Sequence, residues 1–185
     1  MLYTTQQIIR DSRIAMGLDM REDPWLSRSE GLNVDDVILS RIEAAARQAA
    51  QSAESDQLGL GKPLRQEICW QGNAGWLLLP DDFMRRLIFQ MSDWHRPVTA
   101  AITPASPLYA LQSSRFEGLR GCPQRPLCAV VMRPEGLSLE FYSCASQDAA
   151  IARAQYAPLP TLRPDGSIEI PELIYPKVIE IIAHD

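Results

Sequence analysis

The sequence lacks a long hydrophobic run, and it is poor in cysteine and histidine. Runs such as Trp76–Leu79 are far shorter than the roughly 20 apolar residues that span a bilayer, so we expect no membrane partner. No basic segment followed by an apolar one stands near Met1, so we expect no secretion signal. The net charge of −5 argues against a protein that coats nucleic acid, because neutralising phosphates requires clustered lysine and arginine.

The cysteines do not form a recognisable metal site. No two of them follow the Cys-x2-Cys spacing of structural zinc sites, and the chain offers few histidines to complete one. Without a secretion signal we expect reduced thiols, and the two within apolar runs, Cys69 and Cys144, are predicted to be core residues. Metal or redox use stays the alternative, but we predict no metal ion and no cofactor. The cysteines are Cys69, Cys122, Cys128 and Cys144, and the histidines are His95 and His184.

The sequence also lacks the motifs of common catalytic and nucleotide-binding sites. Asp81 and Asp82 are adjacent, and neighbours in an extended chain point in opposite directions, so their carboxylates are poorly placed to share a proton or a metal. Gly59–Pro63 lacks the spacing and the Ser/Thr of a phosphate-binding loop. Asp93 and His95 offer an acid and an imidazole, but no Gly-x-Ser-x-Gly turn supplies a nucleophile. We therefore predict no catalytic residue, and a hydrolase that depends on His95 is the enzymatic alternative.

Two helix signals stand near the start of the chain. Thr4, with a glutamine three residues later, predicts a capped helix that runs to residue 16. Asn33 predicts the N-cap of a second helix, and the acidic residues after it suit the positive end of the helix dipole. Between the helices, residues 18–32 are predicted to form a loop anchored by Trp25 and Leu26. Apolar residues of the second helix recur at helical spacing as far as about residue 55: Ile38, Ile42, Ala45, Ala49 and Ala53.

The middle of the chain alternates like β-strands. The clearest hairpin joins Leu127–Met132 to Leu137–Tyr142, because proline presets the turn between them and glycine accepts its unusual dihedral angles. The proline-rich segment 103–126 is predicted to be a long ordered loop in which two aromatic residues pack. Ala145–Ala154 is predicted to be a short helix or a helical turn. The other predicted strands are Glu67–Gln71, Trp76–Leu79, 86–91 and Val98–Ile102.

A final helix is predicted after Pro171, which is well placed to start it. The order helix, helix, β-rich middle and helix favours an α+β fold, in which the N- and C-terminal helices form a small bundle with an inserted antiparallel β-module. We assign the N-terminal helices of the bundle to residues 1–62, the inserted β-rich module to 63–165, and the C-terminal strand and helix that complete the bundle to 166–185.

Opposite charges are separated along the chain. Solvated surfaces alone can explain this pattern. The alternative is contact between copies, because opposite patches on one molecule suit a head-to-tail ring. The acidic first third contains Glu22, Asp23, Asp35, Asp36, Glu54 and Asp56, and the basic middle contains Arg85, Arg86, Arg96, Arg115, Arg120 and Arg125.

The layout as a whole resembles a known family. The segments that carry the resemblance are a short N-terminal helix at Thr4–Met16, an alanine-rich helix at Asn33–Ala53, the strand and Leu-Pro-Asp-Asp step of Gly75–Phe83, the segment Tyr156–Pro160, and Ile168–Pro171 leading into a closing helix at Ile174–Ala183. On these segments, which cover most of the chain, the sequence resembles the head-to-tail adaptor proteins (connector or head completion proteins) of tailed bacteriophages, particularly those of short-tailed phages with a β-insert.

The resemblance implies a structural virion protein with no catalytic residue, located in the neck of the virion and assembled in the host cytoplasm. Adaptors of this family bind under the portal protein as a homo-oligomeric ring, usually a dodecamer, and present a surface to the tail or nozzle protein. DNA passes through their channel only as cargo, and an acidic channel would let it slide without sticking. A small cytosolic protein-binding module is the remaining alternative.

For such a ring we predict two kinds of interface. The second helix is expected to contact a neighbouring subunit, and the loop 103–126 is expected to reach an adjacent subunit or the tail. The segment 171–185 is expected to contact the portal. The predicted subunit-interface residues are Asp35, Asp36, Ile38, Ile42, Tyr109 and Phe116, and the predicted portal-interface residues are Tyr175, Val178 and Ile182.

Overall fold

The computed structural model describes residues 1–18, 33–72, 74–114 and 116–184, apart from the side chains of 86, 87 and 117. The chain divides into two compact units. A helical unit comprises Met1–Gly59 and Leu159–Asp185, and a β-unit comprises Leu60–Pro158. The predicted α+β fold is confirmed, because antiparallel sheets are inserted between helices from both ends of the chain. The boundaries assigned from sequence, after residues 62 and 165, stay a prediction of domain organisation.

The elements of the described ranges follow one another in a simple order. They are β1 (Leu2–Thr4), α1 (Thr5–Ala15), α2 (Val34–Ser52), β2 (Lys62–Pro63), β3 (Cys69–Gln71), β4 (Ala74–Leu78), β5 (Phe83–Met91), α3 (Pro107–Leu111), β6 (Cys128–Arg133), β7 (Gly136–Phe141), β8 (Ile151–Pro158), β9 (Ser167–Glu169) and α4 (Tyr175–His184). Single 3-10 turns lie at Glu117–Leu119 and Glu172–Ile174.

Both N-terminal helices begin at the caps predicted from sequence. The Thr4 hydroxyl accepts a hydrogen bond from the Gln7 backbone N–H at 3.2 Å, and the Asn33 side chain accepts one from the Asp35 N–H at 3.1 Å. Each bond satisfies a donor that the first helical turn would leave without a partner.

The helical unit has an aliphatic core shared by three helices. α4 packs against both α1 and α2, and β1 pairs antiparallel with β9, with Tyr3 opposite Ile168. Alanine side chains of α2 are buried in this core, and their small size permits close contact between helices. The largest fully buried side chains of the helical unit include Ile8, Ile38, Ile42, Val178 and Ile182.

The C-terminal helix begins in two steps. Pro171 precedes a 3-10 turn, and Tyr175 then starts α4. Pro176 lies in the first turn, where backbone N–H groups have no intrahelical acceptor, so the missing N–H of proline costs the helix no hydrogen bond. The predicted apolar face of this helix is confirmed, because Val178 and Ile182 are fully buried.

The β-unit contains two antiparallel sheets, with strand orders β2-β8-β5 and β3-β4-β7-β6. The predicted hairpin is confirmed: β6 and β7 pair from Cys128 opposite Phe141 to Arg133 opposite Gly136. Gly136 has a backbone φ of 134°, which residues other than glycine rarely adopt. The core of this unit includes Leu77, Phe89, Met91, Leu139 and Phe141, all fully buried.

Two local predictions in the β-unit need correction. The helix predicted for Ala145–Ala154 is wrong, because Ile151–Pro158 is a strand that pairs with β5 on one side and β2 on the other. Ala154 and Tyr156, two residues apart, are both buried, which is the spacing of a strand face. The segment 103–126 was predicted to be a loop throughout, but its described residues include helix α3 and a 3-10 turn, so it is not all loop.

One further predicted strand is shorter than expected, and one predicted loop lies almost wholly outside the described residues. The predicted strand Val98–Ile102 is reduced to isolated bridges at its two ends, one to β5 and one to β6. Of the predicted loop 18–32, only Leu18 lies within the described residues, and its anchors Trp25 and Leu26 lie outside them. Among the helices of the described ranges, none has the length and hydropathy needed to cross a bilayer.

Candidate binding site

A pocket of about 570 Å³ lies in the β-unit, between the β3-β4-β7-β6 sheet and helix α3. Residues Trp76 and Glu140 line it, and they alternate with Leu77 and Leu139, which belong to the core. Alternation along a strand places these two sets on opposite faces, so the pocket occupies the face turned away from the core. Volumes of about 300–1,000 Å³ are typical of small-molecule sites. The lining residues that matter for its chemistry are Gln71, Trp76, Tyr109, Arg133, Glu140 and Tyr142.

Glu140 is the polar centre of this pocket, and only 6% of it is exposed. Its Oε2 accepts a hydrogen bond from the Tyr109 hydroxyl at 3.0 Å and another from the Tyr142 hydroxyl. Its Oε1 accepts a hydrogen bond from Nη2 of Arg133, which also forms an ion pair with it. Such donors offset the cost of burying a carboxylate this deeply. The cluster therefore connects β6, β7 and α3 through one buried charge pair.

Arg133 bridges the acidic and aromatic parts of the pocket. Its guanidinium lies 4.5 Å from the ring centroid of Trp76, within the range of a cation–π interaction. Nη2 donates to Glu140, whereas Nε is buried and has no hydrogen-bond partner among the described residues. Nε of Arg133 is therefore a buried donor that the described residues leave without a hydrogen bond.

The register of the sheet explains why these side chains meet. Trp76 on β4 lies directly opposite Glu140 on β7, so both side chains project from the same face. The preceding residue, Gly75, leaves room for the aromatic core behind the sheet: a Cβ at this position would lie 2.5 Å from the Phe141 ring. The glycine thus lets β4 pass close to Phe141 while Trp76 faces the pocket.

Helix α3 is held over the sheet by side-chain caps. The Ser106 hydroxyl accepts a hydrogen bond from the Leu108 N–H at the start of the helix. At its end, Gln112 donates to the Leu108 carbonyl at 2.7 Å and accepts from the Gly121 N–H at 2.9 Å. These bonds fix the backbone that carries Tyr109, whose ring also meets Tyr142 edge to face at 6.1 Å.

The protonation of the cluster follows from its surroundings. Burial, together with the hydrogen bonds to Glu140 and Tyr109, raises the pKa of Tyr142 well above its usual range. The Tyr142 hydroxyl therefore stays a donor at neutral pH. The charges of Arg133 and Glu140 compensate each other at the floor of the pocket, where both keep strong hydrogen-bonding groups, and Arg120 also lines the pocket.

The structure places only one of the predicted subunit-interface residues in this pocket. Tyr109 lines it and is half-buried by its contacts with Glu140 and Tyr142. Phe116 does not line the pocket and is 59% exposed. A contact of either residue with a neighbouring subunit stays a prediction.

The predicted interface on α2 is divided between surface and core. The Asp35 carboxylate pairs with Arg13 of α1 at 3.2 Å, and Asp36 is exposed. Ile38 and Ile42 are 1% and 0% exposed within the helical unit. We therefore correct their assignment: side chains already enclosed by their own chain cannot be the ones that a neighbour contacts.

The predicted portal interface needs the same correction. Val178 and Ile182 form the inner face of α4 and are fully buried in the helical unit, so neither is available to a partner. Tyr175 is half-buried, and its hydroxyl donates to the Asp11 carboxylate at 2.7 Å. The apolar face of α4 is occupied by α1 and α2.

The residues considered for catalysis have structural contacts instead. Oδ2 of Asp93 accepts a hydrogen bond from the Ala145 N–H, and Oδ1 has no partner in the described part of the chain, so no acid–imidazole pair links Asp93 to His95. Asp82 accepts hydrogen bonds from Lys62 and Tyr156, each at 2.7 Å. Within the described ranges, no three His, Cys, Asp or Glu residues lie close enough to hold a metal ion.

The cysteines are all free thiols in the structure. The prediction of a core position is confirmed for Cys144 and wrong for Cys69, which is exposed on the short strand β3. Cys122 is partly buried, and Cys128 is fully buried.

Sequence reasoning missed the Arg133–Glu140 pair. The alternation of β7 places Glu140 and Tyr142 on one face, but only the position of α3 shows that this face is covered. The sequence did offer one signal: the charged Glu140 lies within a predicted strand, and Arg133 ends the strand that pairs with it in the hairpin.

No protein-family model matches the chain, and no curated protein matches it.

Proposed function

We propose that this chain is a structural protein of a tailed-bacteriophage virion, a head-to-tail adaptor that forms a ring between portal and tail. One observation carries the proposal. Helices α1 and α2 pack with α4 in a single helical unit, although the whole β-unit separates them in the sequence. A bundle made from both ends of the chain with an inserted β-module is the layout that the resemblance to adaptors implies.

The subunit contact is proposed for the exposed sides of α1 and α2. Ile14 is 58% exposed and Leu39 is 40% exposed, so both present apolar surface that a neighbour could cover. Asp36 is exposed close to Leu39 on the same helix. These residues replace Ile38 and Ile42 in the proposal, because a neighbour can reach them and can bury their apolar surface on assembly.

The partners follow from the same proposal. The ring is a homo-oligomer, with a dodecamer as the expected state, and it contacts the portal protein on one side and the tail or nozzle protein on the other. On α4 the exposed side carries Lys177 and Glu180, paired at 3.0 Å, and this side is proposed to meet the portal. DNA passes as cargo, because a chain with a net charge of −5 offers little attraction to phosphates.

The decisive experiment measures assembly. The purified chain, alone and mixed with the portal protein of the same phage, is examined by light scattering after size exclusion and by negative-stain microscopy. The expected result is a closed ring, formed by the chain alone or only on the portal. A chain that stays monomeric in both samples, at concentrations where the portal itself forms rings, would contradict the proposal.

A further inference from the structure

We propose that the pocket beside α3 binds a neutral saccharide of one or two rings. The proposal does not depend on ring assembly, since all the residues involved lie within Leu60–Pro158, the β-unit of one chain. Its starting point is the pocket itself, whose volume of about 570 Å³ suits a ligand of that size.

The hydrogen-bonding capacity left in the pocket defines the ligand. An ionised carboxylate has about four acceptor sites. On Glu140, three of these acceptor sites are occupied by donors from Tyr109, Tyr142 and Arg133, so about one acceptor site is left. Beside it, the buried Nε of Arg133 is a donor with no partner in the described chain. A ligand that fits must supply a donor and an acceptor to adjacent positions.

Charge weighs against ionic ligands at the floor of the pocket. A carboxylate or phosphate group there would face the buried charge of Glu140, and an ammonium or guanidinium group would face Arg133, while Arg120 adds a second positive charge to the lining. A hydroxyl group both donates and accepts at one atom, so it can satisfy Glu140 and Arg133 together without a charge. Neighbouring hydroxyls on a rigid ring are the chemical group that presents this combination repeatedly.

The walls suit the rest of a sugar. Trp76, Tyr109 and Tyr142 bring aromatic surface to the pocket, and such rings pack well against the apolar C–H faces of a saccharide. At the rim, Gln71 is exposed and its amide offers both donors and an acceptor. An aromatic wall, an amide rim and a paired acid and base together favour an uncharged polyhydroxylated ligand over an apolar one.

The test uses the full-length protein and a defined panel of sugars. Glucose, galactose, N-acetylglucosamine, maltose, cellobiose, lactose and diacetylchitobiose are each examined at millimolar concentration by saturation-transfer NMR, and any ligand is then titrated calorimetrically. Citrate and a proline-rich peptide are the competing chemistries. We expect saturable binding of at least one sugar and none of citrate or the peptide.

Matched variants locate the binding. Glu140→Gln is expected to weaken it about tenfold or more, because a hydrogen bond to a charged group is lost, whereas Glu135→Gln, exposed on the β6–β7 turn, is expected to leave it unchanged. Gln71→Ala, which changes only an exposed side chain, is expected to weaken binding about two- to tenfold, and the exposed Gln66→Ala is its control.

The outcomes that overturn the proposal are distinct. If no sugar of the panel binds, or if citrate or the peptide binds in its place, the assigned chemistry is wrong. If a sugar binds to Gln71→Ala and to a folded Glu140→Gln as tightly as to the wild type, it binds elsewhere on the protein, and its assignment to this pocket is wrong. Should Glu140→Gln not fold, the comparison of Gln71→Ala with Gln66→Ala decides the matter alone.

Discussion

The phenol rings of Tyr3 and Tyr175 lie parallel, with their centroids 4.0 Å apart and an interplanar angle of 6°. The two residues belong to β1 and to the start of α4, so the stack fastens the first strand to the final helix. The Tyr175 hydroxyl adds a hydrogen bond to Asp11 on α1, whereas in the described part of the chain the Tyr3 hydroxyl donates to the Met1 sulfur, a weak acceptor, at 3.7 Å.

We expect Tyr175→Phe to lower the free energy of unfolding by about 1–2 kcal/mol, because it removes a hydrogen bond to a carboxylate but keeps the stack. Tyr175→Ala removes both and is expected to cost about 3 kcal/mol or more. Urea denaturation followed by circular dichroism measures these changes. Tyr3→Phe is the matched control and should change little, so an equal loss in Tyr3→Phe and Tyr175→Phe would contradict the role given to the Asp11 bond.

Asp82 is expected to make the stability of the protein depend on pH. Burial opposes ionisation of its carboxyl, but hydrogen bonds from Lys62 and Tyr156 and the charge of Lys62 outweigh burial and lower the pKa. A folded-state pKa below the unfolded value of about 3.9 stabilises the protein above that pH, and this stability is lost as the pH falls through the folded pKa.

We therefore expect Asp82→Asn to destabilise the protein near neutral pH and to flatten the fall in stability between about pH 5 and the acid transition. Urea midpoints measured across that range, with Asp81→Asn as the control, test this expectation, because Asp81 is adjacent and exposed. If both variants keep the wild-type slope, Asp82 is not the group responsible.

Gly75 is predicted to tolerate no side chain. A Cβ there would lie 2.5 Å from the Phe141 ring, so Gly75→Ala should force the ring or the strand to move, at a cost of about 1–3 kcal/mol. Gly118 has no atom within 4 Å of its added Cβ, and Gly118→Ala is expected to stay within about 0.5 kcal/mol of wild type. Thermal unfolding compares the two, and equal stability of both variants would disprove the close approach of β4 to Phe141.

The thiols are expected to react in two classes with a disulfide reagent near neutral pH. Burial raises the pKa of Cys144 to about 12, so its thiol should stay protonated, and Cys128 is fully buried, so both thiols should be protected from the reagent. Cys69 is exposed and should react. Burial also opposes ionisation of Cys122, but hydrogen bonds from the backbone of its turn and from Arg125 outweigh it and lower the pKa, so Cys122 should react fastest.

The control is the same reaction in denaturant, where all the thiols should react alike. Single replacement of Cys69 or Cys122 by serine assigns the fast phases. Rapid reaction of Cys144 in the folded protein would show that the thiol is more accessible than the structure indicates.

The proposed subunit contact is tested by charge and by apolar surface separately. Leu39→Glu and Asp36→Lys are expected to shift assembly to about tenfold higher concentration or more, because each places an unfavourable group in the contact. Light scattering measures the shift, and Glu54→Lys, an exposed reversal beyond the end of α2, is the control. Asp35 is a poorer choice, since its reversal also breaks the pair with Arg13. Assembly unaffected by either variant would rule out this face.

Much of the fold was predictable, because its signals are local. The caps at Thr4 and Asn33 act within one helical turn, and the β6–β7 turn needs only its own proline and glycine. Strand β8 was not predictable by the same means: its alanines also suit a helix, and pairing with β5 residues, which lie 60 to 75 residues earlier in the chain, decides its conformation.

The candidate site was harder to predict for the same reason. Tyr109, Arg133 and Glu140 come from three separate elements, and no spacing in the sequence announces that their side chains meet. The error at Ile38 and Ile42 has another cause. A helical apolar face shows that a surface is covered, but whether the chain itself or a neighbour covers it depends on α4, which follows more than 100 residues later.

The division of the helical unit between two distant stretches of chain has a consequence for its biosynthesis. Helices α1 and α2 leave the ribosome with their apolar faces uncovered, and they stay so until the β-unit and then α4 have been made. Contacts of such long sequence separation form late and slowly. A truncated chain would lack α4 and leave Ile38 and Ile42 open to solvent, so incomplete copies should be recognisable by quality-control machinery before they reach any assembly.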